Sequence, residues 1–561
     1  MFEKPLLQDN IWETFLKFNQ TYITTRSWGL WIGGVLLILG LCILLLRKSL
    51  RNKELYDHAF PADEFFFNKQ KTTDWLSLLS VIIAIILTEV YIFTAENSLF
   101  ENYDLMAINT TRTMRFGLVA SFDYIRLIPL ASWYLSTLYA ITQNILVIKS
   151  FVIFQTMLMA WAVYAFFSYI PVAKRLFMIA VFLLTPTVLQ TANIIFPERD
   201  MIIFLMLSLI CARKYCRTAS IKWVFAFMFF ANAAIYTKET CITFYFGILL
   251  TSVIYGVVSG KIEIDSFFHP IKMIKSMPLE LLIGISLFGY TLIFGLLQQG
   301  NNFYLSANKQ TLWSQIVNYR MEIVLIGLAL GIALFRLFKY WDVKYNPLFR
   351  GGLLVGALCS ALLVVVIFKL SPSTPHLYGK SYYLLASFVF VWAYLFEHIS
   401  SKRLLAITGA LVLLYSAYMN IQYRRQAVGT YYREVAEFMA ENTYITSPNS
   451  VFIAEDDYPT KLLRQWITET WATAFRYYFN DRSFLIKSDA HFLDKSVEQK
   501  LMLYRTIPLI YFPIIPQPIP TKGDWVIMHK NNHTTKAENI RKDYKDNLVF
   551  ENKLFEVYQP K

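Results

Sequence analysis

The sequence predicts an all-α polytopic membrane protein of about eleven to thirteen transmembrane helices, followed by a C-terminal extracytoplasmic α/β domain. Three observations predict it. The 561 residues are 56% hydrophobic and only 16% charged, against ~25% charged in average soluble chains. Apolar runs about 20 residues long recur along most of the chain. Lys and Arg collect in clusters that fall after every second run.

The runs lie near 28–46, 75–94, 147–170, 176–195, 200–212, 222–237, 241–259, 279–298, 321–338, 351–370, 382–399 and 403–421. The stretch 126–146 is apolar but contains Pro129 and several Ser and Thr. It either spans or lies flat at the interface as an amphipathic helix. The first run begins too far in, and is too long, for a plain signal peptide, and no A-x-A-like site follows it, so it reads as an uncleaved anchor.

Basic clusters occur at Arg47/Lys48/Arg51/Lys53, Lys174/Arg175, Arg213/Lys214/Arg217/Lys222, Lys261/Lys272/Lys275, Arg336/Lys339/Lys344/Arg350 and Lys402/Arg403. With 126–146 interfacial, two spans separate each cluster from the next. All then share the cytoplasmic side, with about 21 basic residues against about 12 in the longer outer loops. The net charge of +14 is accordingly a topology signal, and nucleic acid is not implied as a partner.

Three regions follow. Residues 1–74 hold an N-terminal anchor and cytoplasmic loop. Residues 75–421 form the transmembrane domain, whose first outer loop is 95–146. Residues 422–561 form an extracytoplasmic soluble α/β domain with 19 basic and 17 acidic side chains. There, Asn449–Ala454, Asp524–Met528 and Leu548–Tyr558 read as strands, and Thr460–Tyr478 as an amphipathic helix. Pro508–Pro520, with its many prolines, reads as an extended connector. The five cysteines Cys42, Cys211, Cys216, Cys241 and Cys359 lie in spans or at their ends, so neither a disulfide framework nor a C-x-x-C metal motif is present.

The outer loops gather a small set of ionisable groups. Glu96, Glu101, Asp104, Arg112, Arg115, Asp123 and Arg126 lie in the first loop. The run F-P-E-R-D brings Glu198, Arg199 and Asp200, Y-T-K-E-T brings Lys238 and Glu239, and a late loop brings His376 and Lys380. Carboxylates beside cations above a bilayer suit group transfer from a lipid-borne phosphate. Basic residues hold the phosphate, and a carboxylate takes the proton of the attacking hydroxyl. A coupled transporter keeps its ionisable residues near the midplane, and Glu89 is the main charge placed inside a span.

These residues resemble the polytopic glycosyltransferases of the GT-C fold, near the protein O-mannosyltransferases and lipid A aminoarabinose transferases. The likeness covers roughly residues 75–400. It rests on E-N-Y-D at Glu101–Asp104, then Gly117, Arg126 and Pro129-Leu130; on Asp200 opening an apolar run; on Thr237-Lys238-Glu239; and on Gly379-Lys380-Ser381-Tyr382. Two departures stand out. The acidic pair is not adjacent, and a Lys replaces the late Arg, which forfeits bidentate phosphate recognition.

The resemblance implies a membrane glycosyltransferase that transfers a sugar from a polyprenyl-phosphate donor to an extracytoplasmic acceptor: protein, lipid or envelope glycan. Its setting would be the bacterial inner (plasma) membrane, with active site and C-terminal domain outside. Asp104 or Glu101 would be the general base, with Asp200 and Glu198 supporting the base or the acceptor. Lys238, His376, Lys380, Arg112 and Tyr382 would meet the donor phosphate. Blander roles stand beside these: a local Lys238–Glu239 ion pair, a snorkelling Lys380, a loop His376, and Arg115 at lipid headgroups. Carboxylates on two loops could hold Mg²⁺ or Mn²⁺, but no spacing demands a metal, so no cofactor is predicted. Glu455-Asp456-Asp457 reads as a solvated strand end. The competing functions are a transporter or flippase for lipid-linked glycans and an O-antigen polymerase or ligase.

Overall fold

The structure, a computed structural model, describes residues 28–52, 55, 76, 78–84, 86–87, 130, 145–167, 171–183, 197–238, 241–258, 269–298, 401–425, 429–442, 450–454, 471, 485–488 and 514–560. In chain order the helices are α1 (Trp28–Leu45), α2 (Arg47–Leu50), α3 (Ile145–Phe166), α4 (Val172–Leu183), α5 (Pro197–Thr218) and α6 (Ile221–Thr237). Then come α7 (Ile242–Val258), α8 (Pro270–Ser276), α9 (Pro278–Gln298), α10 (Lys402–Arg425), α11 (Gly429–Asn442) and α12 (Thr535–Asp543). The strands are β1 (Ser450–Ala454), β2 (Leu485–Ser488), β3 (Ile514–Pro516), β4 (Asp524–His529), β5 (Leu548–Glu551) and β6 (Phe555–Tyr558).

Local chemistry explains where the bundle helices begin. Pro197 and Pro278 open α5 and α9, at the position where a missing N–H costs nothing. Acidic residues follow within the first turn of each: Glu198 and Asp200 in α5, Glu280 in α9. At Asp200 and Glu280 the carboxylate meets the positive end of the helix dipole. Ala219, at φ 48°, makes the left-handed turn that folds α6 back along α5. Those two helices pack along their length, and α5 also packs on α3. The core joins Leu39, Val163, Leu205, Phe227, Phe244 and Leu282 from six different helices.

Among the described residues no helix is long and apolar enough to cross a membrane. At 18 residues α1 is about 27 Å long, short of the ~30 Å hydrocarbon core. The longer α3 is interrupted by Lys149, Gln155 and Thr156.

One end of the bundle is basic and tied together. Arg213 donates to the carbonyl of Phe166 (2.6 Å), and Arg175 donates to that of Tyr164 (3.3 Å) while lying over its ring. Both guanidinium groups thus meet terminal carbonyls of α3, the negative end of its dipole. Tyr215 donates to the carbonyl of Leu50 at 2.9 Å, and Lys214 lies over the ring of Trp223. The clusters at 47–51, 174–175 and 213–222, far apart in sequence, therefore meet at one end.

The C-terminal sheet has the order β3-β2-β1-β4-β6-β5. The first four strands are mutually parallel, and β6 and β5 complete the sheet antiparallel. α11 covers one face through Val435, Ala436 and Met439, beside Trp471 and Phe555. α12 covers the other through Ala537 and Ile540, against Phe452 and Val526. Ile514–Pro516, expected as part of a connector, is a strand instead. It lies at the sheet edge, where proline is tolerated because no ladder N–H is required on the open side. Of the helix expected at Thr460–Tyr478, Trp471 alone is described.

Candidate functional site

At the end of the bundle opposite the basic clusters, α5 starts with Arg199 and Asp200 in its first turn. Both are buried. Between them and α3 lies Gln155, also buried. Its amide Nε2 donates to Oδ1 of Asp200 at 2.6 Å, and its Oε1 accepts from Nε of Arg199 at 3.0 Å. A guanidinium can only donate, so Arg199 fixes which way the Gln155 amide faces. Its N–H groups must then turn toward the carboxylate. The second carboxylate oxygen, Oδ2 of Asp200, is buried with no hydrogen-bond partner among the described residues.

α3 and α5 run parallel, because Gln155 pairs with Arg199 and Asp200 while Phe166 pairs with Arg213. The cluster is therefore inset. α3 begins at Ile145, ten residues before Gln155, so it rises about 15 Å above the level of the cluster.

α6 brings the neighbouring cation. Asp200 lies 19 residues before Ala219, and Lys238 lies 18 after Ser220, so the antiparallel hairpin sets them at one level. Lys238 is buried and forms the C-cap of α6 in extended conformation, its N–H bonded to the carbonyl of Ala234. A cation at a helix C-terminus is favoured by the dipole. Further into the bundle, Asn232 donates to Ser286 at 3.0 Å, and the rings of Tyr236 and Tyr290 pack 5.4 Å apart. The buried hydroxyl of Tyr236 and the Oδ1 of Asn232 have no hydrogen-bond partner among the described residues.

Of the residues singled out from the sequence, Asp200 and Lys238 are thus brought to one level, and Glu198 lies in the first turn of α5. Glu101, Asp104, Arg112, His376, Lys380 and Tyr382 lie outside the described residues, as do Arg115, Glu239 and the Glu455–Asp457 run. Gln155 was not foreseen. Its signal was an amide in the middle of an apolar run, where a polar side chain is expensive unless partnered.

Two other buried carboxylates are satisfied rather than poised. Glu280 accepts from the hydroxyl of Ser252. In the sheet domain, Asp524 accepts from the Ser450 hydroxyl and from Lys487 Nζ (2.7 Å) on one oxygen. On the other it accepts from the N–H and hydroxyl of Thr521 and from Gln517. Burial pushes its carboxyl up, but these donors outweigh burial and hold it below the usual carboxylate range. Among the described residues, no group of three or more His, Cys, Asp or Glu is placed to hold a metal ion.

No protein-family model matches the chain, and no curated protein sequence matches it. Among solved structures, the chain is similar to the archaeal oligosaccharyltransferase AglB of Archaeoglobus fulgidus, determined with an inhibitory peptide and a dolichol-phosphate. The similarity covers 81% of this chain and 69% of that one, at a TM-score of 0.44 and 9% identity. At that distance it assigns neither family nor activity.

Proposed function

We propose that the chain is a GT-C-like membrane glycosyltransferase that moves a sugar from a polyprenyl-phosphate donor to an extracytoplasmic acceptor. The observation that carries this reading is the buried Gln155–Arg199–Asp200 cluster, level with Lys238, at the end of the bundle away from the basic clusters. It offers an unpartnered carboxylate oxygen for a hydroxyl, and Lys238, at the same level on α6, brings a cation for a phosphate. Asp104 or Glu101 is the base in this reading, with Asp200 and Glu198 as its support. His376, Lys380, Arg112 and Tyr382 join Lys238 at the phosphate.

Membrane placement is part of the proposal and is supported by the outward faces of the helices. Leu41, Leu44 and Leu45 of α1, Phe225 and Phe229 of α6, Phe288 and Leu292 of α9, and Leu411 and Leu414 of α10 are exposed. Apolar patches of this extent mark contact with lipid or another apolar partner. Short helices fit a bilayer by local thinning and by oligomerising against neighbours, at modest cost.

The test is release of polyprenyl phosphate by the purified protein from candidate polyprenyl-phosphate sugars. Wild type is expected to turn over, and Asp104→Asn, Glu101→Gln and Asp200→Asn to lose most of that activity. Full turnover in both Asp104→Asn and Glu101→Gln would remove the base assignment. One observation favours a second reading, a flippase for lipid-linked glycans: the inset, buried Arg199 and Asp200 resemble the charges that line transport paths. Lipid-linked glycan crossing vesicles without release of polyprenyl phosphate would select it.

A further inference from the structure

Asp200 is held by one oxygen only. Its Oδ1 takes the Gln155 amide at 2.6 Å, while its Oδ2 is buried and unpartnered among the described residues. An unsatisfied buried carboxylate oxygen is costly, and such a group in a native structure calls for a ligand or water. The neighbours say which kind. Arg199, the residue immediately before it and in the same cluster, already balances the charge of Asp200, so a second cation is not required. An anion would meet the carboxylate head-on. A neutral hydroxyl, donating one hydrogen bond, satisfies Oδ2 without disturbing that balance.

We infer that Gln155 is a positioning residue: gripped by Arg199, it turns Asp200 so that Oδ2 is presented to a hydroxyl group of the sugar. The inference rests on the glycosyltransferase reading and deepens it, because it names what the inset carboxylate recognises. Gln155 acts through Asp200 and need not touch the substrate. The orientation depends on its being an amide. A carboxylate at 155 would still accept from Arg199 but could not donate to Asp200, and a leucine would do neither.

The experiment uses the full chain in lipid nanodiscs, with binding followed by tryptophan fluorescence. The probes are bare undecaprenyl phosphate and undecaprenyl phosphate carrying mannose, glucose or arabinose. Wild type is expected to bind at least one sugar-bearing lipid about ten-fold more tightly than the bare lipid, as one hydrogen bond to a charged group provides. Gln155→Glu and Gln155→Leu should each abolish that preference while leaving bare-lipid affinity unchanged, which a merely structural defect would not do. If Gln155→Leu fails to fold, Gln155→Glu, which keeps the volume and the contact to Arg199, decides. Retention of the preference in a folded variant overturns the role of Gln155 and leaves the transferase reading standing. Wild type that binds none of the sugar-bearing lipids better than the bare one overturns both.

Discussion

The ring of Phe177 on α4 lies directly against the backbone of Gly409 on α10, and a β-carbon at that glycine would overlap the ring. Gly409 is therefore there for close approach of two helices more than two hundred residues apart in sequence. Gly409→Ala should force the ring out and destabilise the bundle by about 1–3 kcal/mol. Thermal unfolding of the purified protein measures this. Adding Phe177→Ala to Gly409→Ala should recover part of the loss, and simple additivity of the two effects would contradict the contact.

A pH prediction follows from Asp524. Its folded pKa is depressed below the ordinary carboxylate value, so its contribution is full above the unfolded pKa of ~3.9 and is lost as pH falls through the folded value. The sheet domain should be insensitive to this group between pH 5 and 8, roughly, and then lose stability steeply in acid. Trp525, buried beside it, is a natural fluorescence reporter. Asp524→Asn should flatten that acid limb while costing stability at neutral pH, because it leaves Lys487 without its 2.7 Å partner.

Arg199 and Asp200 should show the asymmetry of buried charge. Arg199→Leu leaves a buried carboxylate uncompensated and should cost about 3–5 kcal/mol. The double variant Arg199→Leu/Asp200→Asn should recover much of that, measured as melting temperature. A single variant as stable as wild type would mean that the pair does not share one environment.

Trp471, almost wholly buried, packs on both Tyr432 and Phe555, with ring centroids 4.7 and 5.1 Å away, while those two rings also touch each other at 4.6 Å. Trp471→Ala should cost about 3–5 kcal/mol and loosen α11 from the sheet. Chemical denaturation followed through the remaining tryptophans would show it as a lowered midpoint.

Ala219 offers the opposite sign. Its φ of 48° is a conformation that an L side chain adopts at a cost of about 1–2 kcal/mol and that glycine adopts freely. Ala219→Gly should leave the α5–α6 turn as stable or slightly more so, whereas Ala219→Val should lower the melting temperature.

How much of this the chain declares in advance depends on which physical signal carries it. The helices Trp28–Leu45, Ile221–Thr237, Ile242–Val258 and Pro278–Gln298 begin and end within a few residues of their apolar runs, because polar residues bracket those runs. α11 is not declared by an apolar run, since its core residues Val435, Ala436 and Met439 and the flanking Tyr431, Tyr432 and Phe438 are interleaved with Arg433, Glu434, Glu437 and Glu441. α12 went unread for the same reason, though its Thr534 cap, bonded to the Ala537 N–H, and its basic last turn were visible signals. Ile514–Pro516 was hidden by its prolines, because a linear reading cannot know that a strand sits at an edge. Asp200 and Lys238 were legible as charges at the ends of runs, yet their burial was not. Gln155 is visible as a polar residue inside an apolar run, but its partners are not, because they lie 44 and 45 residues away and nothing local points to them.

The ten residues of α3 beyond Gln155 set a requirement on reach. A group meeting Asp200 must descend about 15 Å past the start of α3. A folded protein surface is too blunt to do that, whereas a sugar on a thin prenyl stem, or an extended peptide or glycan end, is slender enough. On the proposed reading, it is the width of whatever carries the hydroxyl, and not the chemistry of the hydroxyl alone, that decides what reaches Asp200.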